Sequence, residues 1–191
     1  MQTNISSLNI QNPGLRTLPP GVERYIVKGG GLSVLTIFPE DEIEIINDEG
    51  KQILEIAVFN KDGQTDASIL NLKQNKDAKE IKNILSKKEE SAQRAASILK
   101  KKNINLDKAK SVNLFDPNCY SSEKIKLKSK DNCLCIFAAP GSNMNISEQN
   151  PPTDLTLMIK RAKPIQSKDQ PNIPEPLVDP LNEIFIERST A

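Results

Sequence analysis

Short stretches in which apolar and polar side chains alternate recur along this chain, separated by clusters of glycine, proline, asparagine and aspartate. The longest runs from Asp41 to Asn60 and reads DEIEIINDEGKQILEIAVFN. Ile43 and Ile45 alternate with glutamates. The turn-forming residues 47–50 come next, ending in Gly50, and a second apolar run begins at Ile53. Alternation with a period of two indicates strands, and a glycine that adopts a positive φ suits a tight turn between them. The pattern therefore predicts a central β-hairpin in a sheet core.

Other runs of the same kind predict further strands. They cover Arg24–Lys28, Leu32–Phe38, Lys124–Lys128, Cys133–Ala139, Asp154–Lys160 and Glu183–Glu187. The Gly29-Gly30-Gly31 link between the first two predicts a second hairpin. A glycine triplet can also cradle a phosphate, but that use needs a helix directly after it, and Leu32 begins a strand.

The period of the pattern changes between residues 77 and 102. Two sets of apolar side chains recur there at helical spacing: Ile81, Ile84 and Leu85, then Ala92, Ala95, Ala96 and Leu99. Asp77 and Glu80 have the spacing of a capping box at a helix start. Ser86 and Glu89 have the same spacing. We predict two helices that cover one end or face of the sheet.

These patterns together predict a fold that is mainly β. Many short alternating runs with turn signals between them favour an antiparallel β-sandwich or barrel, and the helical stretch favours a two-helix insertion. An α+β arrangement is the alternative.

Turn and proline clusters divide the chain into four parts. We predict an N-terminal arm at 1–21, a β-rich domain at 22–162, a proline-rich linker at 163–180 and the start of a following domain at 181–191. Without its own partners, the strand near Ile184 is expected to be mobile or to pair with a neighbouring chain's edge. Limited proteolysis is expected to cut between Pro164 and Pro180.

Composition narrows the class of protein. Aromatic residues make up only 4% of the chain and tryptophan is absent, so the core must consist mostly of Ile, Leu and Val. The cysteines are Cys119, Cys133 and Cys135, a sparse and odd set that favours a reducing compartment, and we expect a cytoplasmic location. The amino end has neither a basic start nor an apolar run, so no signal peptide and no membrane association are expected.

The pattern Cys133-Leu134-Cys135 raises the question of a metal site. The two thiols would share one face of a strand, but the chain contains no histidine and the third cysteine is distant in sequence. Core thiols are the favoured interpretation, and no metal ligand is assigned.

Charge is unevenly placed although the net charge is only +1. Between Lys73 and Lys110 there are twelve basic and five acidic side chains. This stretch has no aromatic side chain on which a base could stack, and its basic residues are mixed with acidic ones. We interpret it as a solvated helical face and expect no nucleic-acid partner.

Three short motifs resemble a known family. They are Asn47-Asp48-Glu49-Gly50-Lys51-Gln52 with Glu55, Ala138 to Met144 as AAPGSNM, and Gln149 to Leu155 as QNPPTDL. Together they resemble the urea carboxylase-associated domain, in the form found at the amino end of large bacterial proteins that finish in a glycine cleavage T-protein-like aminomethyltransferase domain. The likeness covers about Arg24 to Arg161, and in such fusions a second copy of the domain follows a proline-rich linker.

The resemblance implies a non-catalytic accessory or substrate-facing domain of an aminomethyltransferase-type protein in one-carbon or methylamine metabolism. Its partners would be the following domains of the same polypeptide, and self-association into a homo-oligomer stays open. Tetrahydrofolate would belong to the transferase domain, with no cofactor in this chain. The alternative is a small enzyme that hydrolyses an amide or guanidine. Family members that are metal-dependent have a cysteine before the proline of the second motif, where Ala139 stands here.

The resemblance also indicates candidate binding residues: Gln52, Glu55 and Asp154. Gln52 and Glu55 lie three positions apart, so on a regular strand their side chains face opposite sides unless a bulge intervenes. Structural roles are the favoured interpretation, and no catalytic residue is assigned. In the enzyme alternative, Glu55 or Asp154 would have to act as the general base.

Overall fold

The computed structural model describes residues 18–88, 90–141, 151–163, 177–178 and 184–186, which form two packed β-sheets with helices on one outer face. The strands are β1 (Val22–Val27), β2 (Leu32–Ile37), β3 (Glu42–Asn47), β4 (Leu54–Phe59), β5 (Lys76–Asp77), β6 (Lys110–Leu114), β7 (Glu123–Lys128), β8 (Cys133–Ala138), β9 (Leu155–Lys160), β10 (Leu177–Val178) and β11 (Ile184–Ile186). The helices are α1 (Lys79–Leu85) and α2 (Glu90–Lys101), and a short 3₁₀ turn spans Ala67–Leu70. The prediction of a mainly β sandwich with a small helical insertion is confirmed.

The two sheets differ in how their strands are patterned. The four-stranded sheet has the order β1-β9-β3-β7 and is antiparallel throughout. Its strands alternate, as in EIEIIN and EKIKLK, because one face meets the core and the other meets solvent. The seven-stranded sheet has the order β10-β11-β2-β8-β4-β6-β5. Its central strands, LSVLTI, CLCIFA and LEIAVF, are almost continuously apolar because both of their faces are covered.

Two apolar clusters account for this difference. The first lies between the sheets and contains Ile43, Ile45, Leu157 and Phe137 among others. The second lies between the seven-stranded sheet and the helices: Leu32, Val34, Ala57, Phe59 and Ile136 of the sheet meet Ile81, Ala92, Ala95 and Leu99 of the helices. The helices therefore cover one face of the sheet, as expected.

Both predicted hairpins are wrong, although their strands are present. β3 pairs with β7 and β9, whereas β4 pairs with β6 and β8 in the other sheet. β1 and β2 are likewise divided between the two sheets. β1 and β3 have one partly exposed face and fit the four-stranded sheet, whereas β2 and β4 are buried on both faces and fit the seven-stranded sheet. Each connecting turn therefore crosses from one sheet to the other, and we call such a turn an arch.

The first predicted capping box, at Asp77 and Glu80, is also wrong. α1 begins at Lys79 after Ala78, which makes no side-chain cap, and Asp77 instead forms an ion pair with Lys110 at 2.7 Å. The hydrogen bond and charge of Lys110 lower the pKa of Asp77. Ser86 ends α1, and its hydroxyl donates to the Asn83 carbonyl at 2.9 Å. An amide in the first turn of α1 is instead satisfied by Glu55 of β4.

Arg161 ties three strands together just after β9. Its guanidinium donates to Asp41 at 2.9 Å and to Glu23 at 2.6 Å, and also to the carbonyl of Thr36 at 2.8 Å. The side chains of Arg161 and Asp41 are 7% and 1% exposed. The ring of Phe38 lies 5.5 Å from the guanidinium carbon. This buried network closes the end of the sandwich where β9 leaves it.

The carboxyl-terminal strand has its partner within the chain. β11 lies parallel to β2, and β10 pairs antiparallel with β11. The neighbouring-chain pairing expected for this strand is not what the structure shows. The arm before Leu18, residues 164–176 of the linker, residues 142–150 of the motifs and Glu89 of the second capping box lie outside the described residues. The division of the chain into domains stays a prediction.

Candidate functional site

One end of the sandwich gathers the motifs singled out in the sequence. We call it the motif end and define it by Gly29–Gly31, Asn47–Gln52, Ala139–Gly141 and Pro152–Asp154. β1 and β3 both finish there, because Val27 and Asn47 both lie opposite Leu155 in the four-stranded sheet. β8 of the other sheet finishes there as well, since the Ala139 carbonyl after it accepts from the Gly30 amide at 2.7 Å. The arches and the motif loops therefore meet at this end, although the contacts that join Gln52 to Pro140 and Gly29 to Asp154 span 88 and 125 positions of the chain.

Gln52 joins three of these segments. Its Nε2 donates to the carbonyls of Ile53 at 2.8 Å and Pro140 at 3.0 Å. Its Oε1 accepts from the amide of Thr153 at 2.9 Å. The side chain is buried, and each of its polar atoms is engaged by backbone. Gln52 therefore acts as a brace that holds two loops in register.

Asp154 lies next to this brace and holds the glycine-rich arch. One carboxylate oxygen accepts from the Gly29 amide at 3.0 Å, and the other lies 2.7 Å from Nζ of Lys28. A Cβ at Gly29 would approach the Pro152 carbonyl oxygen to 2.3 Å, so only glycine fits there. The Lys28 and Asp154 side chains are 39% and 42% exposed, so this ion pair is accessible from solvent beside the motif end.

Asn47 organises the other arch from within. Its Nδ2 donates to the Gln52 carbonyl at 2.7 Å and contacts Sγ of Cys119 at 3.0 Å, while its Oδ1 accepts from the Gly50 amide. Gly50 has φ +82°, and a Cβ there would meet the Ser121 amide at 2.7 Å. The first motif therefore encodes an arch with a fixed shape.

Thr153 supplies the unsatisfied polar atom of this end. Its Oγ1 is buried and has no hydrogen-bond partner among the described residues. The neighbouring stretch 142–150 lies outside the described residues. This unsatisfied oxygen therefore does not identify a ligand for the motif end.

Glu55 makes its contacts away from the motif end. It is 1% exposed, and its Oε2 accepts from the Ile81 amide in the first turn of α1 at 2.7 Å. Its Oε1 accepts from the Ser111 hydroxyl of β6 at 2.8 Å. A carboxylate at the start of a helix satisfies an exposed amide and suits the helix dipole. Glu55 therefore caps α1, a role that Ala78 cannot fill.

The structure thus brings Gln52 and Asp154 to one place and uses Glu55 in another. Sequence reasoning missed Lys28 and Ser111, the partners of Asp154 and Glu55. Neither has a local signal, since Lys28 is 126 positions from Asp154 and Ser111 is 56 positions from Glu55.

Cys133 and Cys135 lie at the opposite end of β8, on the face that points into the core between the sheets. Their sulfur atoms are 3.7 Å apart, and the Ser129 hydroxyl lies 3.8 Å from Sγ of Cys133. The hydrogen bond with Cys135 lowers the pKa of Cys133, whereas burial raises the pKa of Cys135 well above its usual value. Within the described ranges, no group of three or more His, Cys, Asp or Glu side chains is placed to hold a metal ion.

An open cleft of about 750 Å³ lies beside β7, away from the motif end. Its charged lining comes from Glu42, Glu44, Lys126, Lys128 and Lys160, with Met158 and Leu127 among the apolar side chains. The charges pair across strands, with Lys126 3.4 Å from Glu44 and Lys160 3.5 Å from Glu42. None of the three candidate residues lines this cleft.

In the part of the chain that the structure describes, no helix has the length and apolar character needed to cross a bilayer.

The fold and these contacts define a β-sandwich domain whose motif residues brace its loops. No protein-family model matches the chain. Over 182 residues the chain is 31% identical to a trimethylamine-oxide aldolase of Ruegeria pomeroyi. The similarity covers 95% of this chain but 23% of that protein, so the chain spans about a quarter of the length of its relative.

Proposed function

We propose that this chain is a non-catalytic accessory domain of a larger aminomethyltransferase-type protein that acts in methylamine metabolism. The proposal rests on one observation: the candidate side chains Gln52 and Glu55 form hydrogen bonds within the fold. All polar atoms of Gln52 and both carboxylate oxygens of Glu55 are engaged by the fold itself. Side chains bound in this way shape a domain and leave chemistry to other parts of the protein.

The relative supports the metabolic context. Its name states that it acts as an aldolase on trimethylamine oxide, and nearly all of this chain aligns with a quarter of it. A shared segment of this size is consistent with one module of a long enzyme. We also propose that the module is of the urea carboxylase-associated type, on the basis of the three sequence motifs, with tetrahydrofolate bound in the transferase domain.

The proposal is tested first with the isolated chain. Residues 1–191 are assayed for consumption of trimethylamine oxide, with the full-length Ruegeria pomeroyi enzyme as the positive control. Zinc content and tetrahydrofolate binding are measured on the same sample. We expect neither turnover nor folate binding, and zinc well below one ion per chain. Turnover by the chain, or stoichiometric zinc with amide or guanidine hydrolysis, would identify an enzyme instead.

The substrate-facing part of the proposal rests on the exposed Lys28–Asp154 pair. Asp154→Asn keeps the shape of the side chain and its hydrogen bond from Gly29 while removing the charge. In the longer protein we expect a higher KM for the amine substrate with an unchanged kcat, because the motif end would contact substrate without performing chemistry. Asp62→Asn, at an exposed turn, is the matched control. A fall in kcat with unchanged KM would place Asp154 in the chemical step.

A further inference from the structure

We propose that the outer edge of β2 is a strand-acceptor site, and that its occupant is the segment of this same polypeptide around Ile184–Ile186. In the structure, Ile184 lies opposite Leu32, Phe185 opposite Ser33 and Ile186 opposite Val34, in parallel register. β8 pairs with the other edge of β2 along the full length of β2. The carboxyl-terminal strand is therefore what closes this side of the seven-stranded sheet.

The composition of β2 requires such a partner. Its sequence, LSVLTI, has no charge and no proline. Leu32, Val34, Leu35 and Ile37 are each no more than 2% exposed. An edge strand presents unpaired amides and carbonyls, and a flat apolar edge recruits strands from other molecules. Left open, β2 would be such an edge.

The strands at the three other sheet edges formed by the described residues, β7, β1 and β5, carry protection of their own. β7 has Lys124, Lys126 and Lys128, whose charges oppose pairing with a further strand. β1 carries Glu23 and Arg24, and β5 is only two residues long. These edges are thus protected by charged side chains or by the shortness of the strand, whereas β2 has six residues and no charge. This contrast indicates that β2 is built to be covered permanently.

Permanent cover has a consequence for the longer protein. The segment after the proline-rich stretch would be fixed to this domain by backbone hydrogen bonds, so the connection to whatever follows would be a joint of defined geometry. If the strand is displaced, the same edge can take a strand from a second copy, which is domain swapping.

Engineered cysteines test which strand occupies the site. Paired residues on neighbouring strands lie about 4.8 Å apart, within the range that a disulfide spans. In the full chain, Ser33→Cys combined with Phe185→Cys is oxidised, and the bridges are mapped by peptide mass spectrometry. The control combines Phe185→Cys with Thr36→Cys, which is about 10 Å further along β2. We expect an intramolecular bridge for the first pair and none for the control.

Two outcomes would overturn the proposal. A bridge between positions 33 and 185 of different molecules would assign the site to a second copy. Equal bridging of the two pairs, or no bridge in either, would show that the strand does not sit on β2.

Amide hydrogen exchange provides a second measurement that does not depend on oxidation. Phe185→Pro interrupts β11, since proline cannot donate a ladder hydrogen bond. We expect exchange of the β2 amides that point away from β8 to accelerate at least about tenfold, with β8 and β4 unchanged. Ser189→Pro, four residues further on, should leave all of these rates as they are. Unchanged exchange in Phe185→Pro would contradict the proposal.

Discussion

Single residues in this molecule act through partners that are far away in sequence, and Glu55 is the clearest case. It is an acidic side chain in the middle of an apolar strand, a position that invites a catalytic interpretation. The fold places the start of α1 and the hydroxyl of Ser111 against its two oxygens. A buried carboxylate with two donors is a structural group whose removal leaves donors unsatisfied.

We therefore expect Glu55→Gln to lower the free energy of unfolding by about 1–2 kcal/mol, because a neutral amide oxygen replaces the carboxylate at the start of α1 and the hydrogen bond with Ser111 must reverse its direction. Ser111→Ala, which leaves the contact with Ile81 in place, should cost about half as much. Urea denaturation of the two variants and the parent chain measures both values. Equal stability of Glu55→Gln and the parent would show that the carboxylate is available for another role.

The cysteine pair makes a second prediction at this scale. The hydrogen bond with Cys135 is the main cause that lowers the pKa of Cys133, ahead of the opposing effect of burial. Cys135→Ala removes that hydrogen bond, so the pKa of Cys133 should rise. The NMR chemical shift of the Cys133 β-carbon, followed against pH, measures it. Ser129→Ala should produce a smaller rise, and a fall in either variant would contradict this account.

At the scale of elements, α2 shows how small side chains set a packing distance. Ala92, Ala95 and Leu99 are fully buried against the seven-stranded sheet, while Gln93 and Arg94 are exposed. Alanine on the buried face lets the helix lie close to the sheet, where Phe59 and Ile136 belong to the same apolar cluster. The apolar stripe alone predicts a helix, and the sizes within it decide how near the helix packs.

Ala95→Leu should therefore destabilise the domain by about 1–3 kcal/mol, since added volume in a filled core forces side chains or backbone to shift. Gln93→Leu adds the same side chain on the exposed face and should change stability by less than about 0.5 kcal/mol. Thermal unfolding of the two variants compares them directly. A neutral Ala95→Leu would mean that space remains between α2 and the sheet.

At the scale of the whole molecule, the buried network around Arg161 joins elements from opposite ends of the chain. Glu23 comes from β1, Asp41 precedes β3, and Arg161 follows β9. Asp41 also accepts from the amides of Phe38 and Ala162, so it is satisfied by the fold as well as by the ion pair. The network therefore holds the connection between β2 and β3 against the residues that directly follow β9.

Arg161→Ala should lower the stability of the whole domain by about 3 kcal/mol or more, because Asp41 would remain buried without its charged partner. Arg161→Lys should recover only part of this loss, since an ammonium cannot reproduce the planar fork that reaches two carboxylates. Arg24→Ala, at an exposed position of β1, is the control and should be nearly neutral. Global unfolding followed by circular dichroism distinguishes the three variants. Full recovery with lysine would contradict the role of the fork.

The amino-acid sequence by itself determined the fold class, most of the strands and both helices. The physical reason is local: alternation in EIEIIN or EKIKLK requires one wet face, and the apolar spacing around Ile81 and Leu99 requires a helix. It missed β6, whose residues Lys110–Leu114 show too short an alternation to be separated from a turn, and the two-residue strands β5 and β10, which are too short to show a period.

The tertiary structure alone decided which strands pair and which side chains meet. A turn between two strands is compatible with a hairpin or with an arch, and only the burial of both faces of β4 selects the arch. The partners of Glu55 and Asp154 are brought by the fold from 56 and 126 positions away. Contacts at such distances depend on the packing of the whole sandwich, so no local pattern in the sequence encodes them.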